Sequence, residues 1–153
     1  MTADPRLGAV ESWVVDASVA FCWFTCVPGS DQAALLLEPH WNHLLLAPDL
    51  ILVELLNAGW KSLRMGSIHP EQLDWLSSRG SEPFSRLFSS ESLLRRARYW
   101  CTELDHPAYD CVYIALAEQQ NATLITADQG LLRKLQEAGA KLPASVALSE
   151  LRS

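Results

Sequence analysis

Basic residues, paired cysteines and uninterrupted apolar runs are all scarce in this chain of 153 residues. Its 12 Lys and Arg stand against 18 Asp and Glu, which is not the balance of a protein that binds nucleic acid non-specifically through a basic surface. The four cysteines form no CxxC pair, which favours a reducing, cytoplasmic location. The longest nearly apolar stretch near the start, 13–27, is interrupted by Asp16, so neither a membrane span nor a signal peptide is predicted.

The composition that remains is that of a globular domain. About 49% of the residues are apolar and 20% are charged, and the length suits one domain with one core. Residues 1–11 mix Asp, Pro, Gly and Thr without periodicity, so we expect a flexible N-terminal tail there. Residues 12–153 are then predicted to form a single domain.

Short β-prone runs alternate with helical patterns along the chain. Strands separated by helices predict βαβ units, and therefore an α/β fold with a parallel sheet whose ligand chemistry gathers at the carboxyl ends of the strands. The predicted strands are 13–15, 44–47, 84–88, 123–126 and 145–148. The predicted helices are 18–24, 32–38 with Asp31 as its cap, 49–65, 70–76, 90–104, 107–121 and 131–138.

Four carboxylates, those of Asp16, Glu54, Asp110 and Asp128, stand in apolar surroundings. A buried carboxylate is costly unless it is paired, protonated or bound to a cation. No Lys or Arg lies within a helical turn of the first three, and only Arg133 is near the fourth. The predicted pocket therefore holds no cationic side chain of its own, and a metal ion is the simplest partner for these acids. Each acid alone has an alternative interpretation as a helix cap or a locally paired acid.

The positions of the four acids predict that they meet. Two of them end strands and two lie in the first turns of helices, so all four can project from one rim of a parallel sheet. Oxygen ligands completed by water are what Mg²⁺ or Mn²⁺ prefers. Ser18, Asn57 and Thr126 add neutral oxygens that can orient ligands or water.

Four motifs contain these acids. They are Val-Val-Asp-Ala-Ser-Val-Ala, Ala-Pro-Asp-Leu-x-x-x-Glu-x-x-Asn-Ala, Pro-x-Tyr-Asp-x-x-Tyr-x-Ala-Leu-Ala-Glu and Leu-Ile-Thr-Ala-Asp. In this order and spacing, over residues 13–148, the chain resembles the PIN-domain ribonucleases, specifically the VapC-type toxins of prokaryotic toxin–antitoxin pairs.

The resemblance implies a three-layer α/β/α sandwich with a central parallel sheet, so that residues 12–153 form one PIN-like domain. It also implies a metal-dependent endoribonuclease that hydrolyses RNA phosphodiester bonds, forms a homodimer and is inhibited by a small cognate antitoxin. One or two divalent ions would activate water and neutralise the phosphate. Asp16, Glu54, Asp110 and Asp128 match the acidic quartet of the family, with Ser18, Asn57 and Thr126 as supporting positions.

The individual roles of the acids stay partly open. We expect Asp16, Asp110 and Asp128 to ligate metal directly, and Glu54 either to ligate it or to orient and deprotonate the attacking water. The arginines between residues 79 and 98 could hold flanking phosphates, although a solvated helix face is the better interpretation of each.

Other functions fit the sequence less well. An aspartyl-phosphate phosphatase needs a second Asp at the position of Ser18. A phosphorylatable receiver needs a Lys at the end of a late strand, and the predicted strand 145–148 has none. A catalytically silent protein-interaction domain on the same fold is the main alternative. No zinc-like spacing surrounds the histidines, which are predicted to lie in surface loops: His40, His43, His69 and His106.

Overall fold

Five parallel strands form the centre of the protein, as seen in a computed structural model that describes residues 10–139 and 142–152. The strand order is β3-β2-β1-β4-β5, and every neighbouring pair is parallel. Strands are added outward from β1 to β3, and β4 and β5 are then added on the other side of β1, so the order of the strands reverses between β1 and β4. The strands are β1 Ser12–Val15, β2 Leu44–Pro48, β3 Arg86–Phe88, β4 Thr123–Thr126 and β5 Ser145–Ala147.

Helices cover this sheet and complete a three-layer α/β/α sandwich. In the described part of the chain they are α1 Ala17–Ala20, α2 Ser30–Leu35, α3 Leu50–Arg64, α4 Pro70–Arg79, α5 Leu94–Leu104, α6 Ala108–Gln119 and α7 Gln129–Ala138. Short 3-10 turns occupy Phe21–Trp23, Pro39–Trp41, Glu91–Leu93 and Leu148–Glu150. No helix of the described residues is long and apolar enough to cross a membrane.

Helix α6 is the most deeply buried helix of the fold. All seven residues from Cys111 to Ala117 are buried, and the helix packs against α5 and against strands β1, β2 and β4. A helix that is apolar on every side is stable only when other elements surround it. Its first turn, which carries Asp110, is therefore held in a fixed position relative to the sheet.

Helices α3 and α4 pack closely because Gly59 lies between them. A Cβ atom at this position would come within 2.6 Å of Cδ1 of Leu76 and 2.8 Å of Cδ1 of Leu73. Any larger residue at this position would force these two leucine side chains to move. The contact fixes the helix that carries Glu54.

The prediction of an α/β fold with a parallel sheet is confirmed. One difference concerns Asp31, which lies in the first turn of α2 and is not its cap. The helix begins earlier because Gly29 adopts a left-handed conformation, with φ of 97°, at the N-cap position. The predicted strand 84–88 begins only at Arg86, and the predicted helix 18–24 divides into α1 and a 3-10 turn.

The predicted tail, residues 1–11, lies outside the described residues except for Val10 and Glu11. The main chain of Glu11 is held by the domain. Its N–H donates to Nδ1 of His43 over 3.2 Å, and its carbonyl accepts from the N–H of Leu44 over 2.9 Å. The flexible tail therefore stays a prediction for the residues before this point.

Candidate active site

Two of the predicted acids follow neighbouring strands at the carboxyl edge of the sheet. Asp16 follows β1 and Asp128 follows β4, the two neighbouring strands between which the strand order reverses. Such a switch point is where open α/β sheets place their ligand sites. Each carboxylate also caps a helix: Oδ1 of Asp16 accepts from the N–H of Val19 over 3.3 Å, and Oδ1 of Asp128 accepts from the N–H of Leu131 over 3.0 Å.

Two hydroxyl groups hold the Asp16 carboxylate in place. Ser18 Oγ donates to Oδ1 over 2.6 Å, and Thr126 Oγ1 donates to Oδ2. The hydroxyls are themselves fixed, because the N–H of Ala127 donates to Ser18 over 2.9 Å and that of Asp128 donates to Thr126 over 3.0 Å. A helix cap needs only one carboxylate oxygen. Because both oxygens of Asp16 accept hydrogen bonds, the network also fixes the orientation of the carboxylate. It places Ser18 and Thr126 beside Asp16, as the sequence predicts for supporting residues.

Asp16 is the most deeply buried carboxylate of the site, with 4% of its surface exposed. Burial raises the pKa of Asp16 from 3.8 to about 7, and the charge of Asp110 adds to the rise. The hydrogen bonds from Ser18, Thr126 and Val19 oppose it. Within the described residues no Lys or Arg forms an ion pair with Asp16. A carboxylate held in this way is ready to exchange its proton for a metal cation.

Asp110 is the carboxylate that connects the others. Its charge raises the pKa of both Asp16 and Glu54, and the pKa of Asp110 is in turn raised by burial and by the charge of Asp128. Like charges have such effects only at short range in a partly buried site. Asp110 therefore lies within electrostatic range of the three other predicted acids.

His106 is a residue of the site that the sequence analysis missed. It follows α5 in a loop, as predicted, but its side chain is only 13% exposed and its Nε2 lies 2.6 Å from Oδ2 of Asp110. This contact lowers the pKa of Asp110 and so opposes the effect of burial. The signal was present as a His four residues before an Asp at the start of a helix.

Glu54 is held by a tyrosine from the buried helix. The hydroxyl of Tyr113 donates to Oε1 of Glu54 over 2.7 Å, so the bond joins α6 to α3. Burial raises the pKa of Glu54, the Tyr113 hydroxyl lowers it, and the charge of Asp110 raises it. Tyr113 is the second Tyr of the third sequence motif, but the sequence analysis gave it no role.

A groove beside the acids contains the third predicted supporting residue. This cavity, of about 280 Å³, is lined by Ala17, Ser18, Phe21, Glu54, Asn57, Ala58 and Lys61. Asn57 is thus placed with Glu54 and Ser18. Lys61 corrects the expectation that the pocket holds no cationic side chain. It lies seven residues after Glu54, beyond the single helical turn considered in the sequence, yet on the same face of α3.

Arg96, one of the arginines considered for phosphate contacts, has a carboxylate partner in the structure. Its Nε and NH2 atoms donate to the two carboxylate oxygens of Glu118 over 2.5 and 2.9 Å, which joins α5 to α6. The guanidinium also lies over the ring of Tyr99 at 4.2 Å. A bidentate, stacked arginine has a structural partner already.

The donor set suits a hard divalent cation. Within residues 10–139 and 142–152, no three His, Cys, Asp or Glu side chains converge closely enough to hold a metal ion. Mg²⁺, however, is commonly held by one or two carboxylates, with water and substrate phosphate as further ligands. The buried carboxylate of Asp16 and the carboxylate of Asp110, whose charge acts on it, are oxygen donors that fit such an ion.

Comparison with known proteins identifies the family to which the chain belongs. The family model of the PIN domain matches residues 13–137, and the chain therefore belongs to the PIN domain family. Members of this family are usually nucleases that act on RNA and typically bind divalent metal ions.

A solved structure supports the fold. The crystal structure of PAE2754 from Pyrobaculum aerophilum superposes with a TM-score of 0.62 and 21% identity, covering 93% of this chain and 94% of that chain. At this identity the likeness concerns the fold alone. No curated protein sequence matches the chain.

Proposed function

We propose that this protein is a metal-dependent endoribonuclease, the VapC-type toxin of a toxin–antitoxin pair. The observation that carries the proposal is the buried carboxylate of Asp16, which lies at the switch point of the sheet next to Asp110 and has no described Lys or Arg partner. A protein that kept this fold only to bind partners would gain nothing from such a carboxylate, which destabilises the fold when ionised.

The proposed metal ligands are Asp16, Asp110 and Asp128, with Glu54 as a further candidate. One or two Mg²⁺ or Mn²⁺ ions bound there would activate water and neutralise charge on the scissile phosphate. Ser18 and Thr126 keep the Asp16 carboxylate oriented, and His106 does the same for Asp110. These contacts act before the substrate arrives, so little reorganisation is needed during the reaction.

Glu54 is the proposed base. Its Oε1 is held by Tyr113, and its partial burial raises its pKa, which makes the carboxylate a better proton acceptor. In this mechanism the water oxygen bonds to phosphorus, Glu54 takes a proton of the water, the bond from phosphorus to the leaving ribose oxygen breaks, and that oxygen takes up a proton from solvent to become a hydroxyl. Asn57, one turn further along α3 in the same groove, is the proposed residue that orients the water or the phosphate.

The proposed partners follow from the same charges. When metal and RNA are absent, a pocket of four acids attracts the Arg or Lys side chain of a small antitoxin. A homodimer and a cytoplasmic location complete the proposal, together with a single domain over 12–153 behind a tail at 1–11. The alternative, a silent PIN-fold interaction domain, lacks an observation in its favour.

RNA cleavage by the purified, antitoxin-free protein tests the proposal. We expect metal-dependent cleavage of a labelled single-stranded RNA by the wild type, and a loss of at least about 100-fold in kcat for Glu54→Gln, in line with the usual contribution of a general base. Glu71→Gln, on the first turn of α4, is the matched control and should cleave as the wild type does. Wild-type protein that is folded and metal-loaded but inactive on diverse RNAs would favour the silent interaction domain.

A further inference from the structure

One face of α3 changes from acidic to basic along its length. Glu54, Asn57, Lys61 and Arg64 follow one another at spacings of three, four and three residues, so they lie on the same side of the helix. The first three line the groove of about 280 Å³ beside the acids, and Lys61 and Arg64 also line an adjoining cavity of about 350 Å³ with Met65. Lys61 therefore connects the two cavities into one path that begins at Glu54.

The two cations on this path are available for a ligand. Both are exposed, and within the described residues neither forms an ion pair. The Arg64 guanidinium lies 5.0 Å from the centre of the Trp60 ring, a stacking contact that leaves its hydrogen-bond donors accessible. In a chain of net charge −6, two cations without acidic partners beside an acidic site are placed for an anionic ligand.

We propose that this face of α3 is a track that holds single-stranded RNA on one side of the cleavage site. Lys61 contacts the first phosphate beyond the scissile one, and Arg64 contacts the strand further along. The inference rests on the proposed function and deepens it by naming the residues that bind the substrate beyond the cut. The seven residues from Glu54 to Lys61 span about 10 Å of helix, which separates the cations from the reacting phosphate.

The shape of the groove favours one nucleotide between the acids and Lys61. Its volume lies near the lower end of the range for small-ligand sites. Phe21 offers a ring on which a base can stack, and the Asn57 amide can both donate to and accept from a base edge. A base enters such a groove only when it is unstacked and unpaired, which selects single-stranded RNA.

Steady-state kinetics with Lys61→Ala, Lys61→Arg and Arg95→Ala test the track. Arg95 is the matched control, because it is an exposed cation away from the acids. Its neighbour Arg96 binds Glu118, which lies eight residues, or about 12 Å, along α6 from Asp110. We expect Lys61→Ala to raise KM about 10-fold with kcat within twofold of the wild type, and Lys61→Arg to restore most of the loss. Arg95→Ala should match the wild type in both constants.

Salt dependence provides the second readout. The loss of one phosphate contact should reduce the slope of log KM against log salt by about 0.7 for Lys61→Ala. If the wild type is active and Lys61→Ala and Arg95→Ala both have its KM and salt slope, the track is overturned while the proposed function stands. A fall in kcat at unchanged KM would also overturn it, because Lys61 would then act at the reacting phosphate. Weaker binding of an acidic protein partner, with RNA kinetics unchanged, would assign the cations to that partner instead. A wild type without RNA cleavage would refute the proposed function itself.

The base-contacting role of Asn57 has a separate test. Mapping of cleavage sites on a pool of random single-stranded RNA should show a nucleotide preference next to the cut that changes in Asn57→Ala. Lys61→Ala should keep the wild-type preference, since a phosphate contact carries no sequence information. Identical preferences in Asn57→Ala and the wild type would remove Asn57 from base recognition.

Discussion

The hydroxyl of Tyr113 donates a 2.7 Å hydrogen bond to Oε1 of Glu54, across 59 residues of sequence. The bond fixes the carboxylate of α3 against the buried helix α6. Burial and the charge of Glu54 raise the pKa of Tyr113 well above its ordinary value, so the phenol keeps its proton and remains a donor. The same bond lowers the pKa of Glu54 against the effect of burial. Glu54 is therefore held in one orientation while it stays able to accept a proton.

Metal removal should abolish RNA cleavage. The four carboxylates and an incoming phosphate repel one another, and Lys61 alone cannot neutralise them. We expect no cleavage in EDTA and full recovery with excess Mg²⁺ or Mn²⁺, measured on a labelled RNA. The same preparation of Asp16→Asn serves as the control for contaminating nucleases, which would be unaffected by the substitution. Cleavage by the wild type that persists in EDTA would refute the metal site.

Asp16→Asn should stabilise the metal-free protein at high pH. Folding raises the pKa of Asp16 from 3.8 to about 7, so the folded state binds this proton more tightly and stability falls as the pH rises from about 4 to about 7. Asparagine keeps the shape of the side chain without this ionisation. We expect the variant to gain about 2 to 4 kcal/mol over the wild type at pH 8 in urea unfolding, and little at pH 4.

Two comparisons sharpen this prediction. Asp74→Asn removes an exposed carboxylate of α4 and should leave unfolding unchanged at every pH. Mn²⁺ at pH 8 should stabilise the wild type but not Asp16→Asn, which should also lose nearly all RNA cleavage. A stability difference that does not vary between pH 4 and pH 8 would contradict the assigned burial of the charge, and wild-type cleavage by Asp16→Asn would exclude Asp16 as a ligand.

His106→Ala should weaken metal binding through Asp110. The imidazole lies 2.6 Å from Oδ2 of Asp110, and loss of a group that orients a ligand typically costs 10- to 100-fold in metal affinity. Titration with Mn²⁺ followed by electron paramagnetic resonance measures this affinity without any activity assay. His106→Gln, whose side-chain amide can still donate to the carboxylate, should recover part of the loss. Equal Mn²⁺ affinity in the wild type and His106→Ala would remove His106 from the site.

A small basic protein should bind at the acids. We expect a neighbour-encoded protein to co-purify with the chain, and its complex to weaken with salt and with added Mn²⁺, since a cationic side chain and a metal ion would compete for the same carboxylates. Replacing the basic residues of that partner by Ala should release it. A complex insensitive to salt, metal and these replacements would place the contact elsewhere, for example on the exposed apolar residues of α3, which include Val53 and Trp60.

The sequence predicted the secondary-structure elements more accurately than the contacts of the candidate acids. The strand before Asp16 and the helix that contains Asp110 could be predicted because their residues alternate or repeat over short distances. The partners of those acids could not: Glu54 meets Tyr113, and Arg96 meets Glu118, through the packing of separate helices. Lys61 was missed for a related reason. The sequence analysis considered cations within one helical turn of Glu54, whereas Lys61 lies two turns away on the same face of α3.

The packing around α6 also determines how the geometry of the site is lost on unfolding. Asp110 and Tyr113 belong to a helix whose apolar residues are enclosed by α5 and three strands, so this helix has no local route to unfolding that spares the rest of the core. Loss of the catalytic geometry and loss of the whole fold should therefore follow the same curve in denaturant, and the amide protons of α6 should exchange only through global opening. The protein would then be either folded with an intact site or globally unfolded. No partly folded form with a distorted site would be populated.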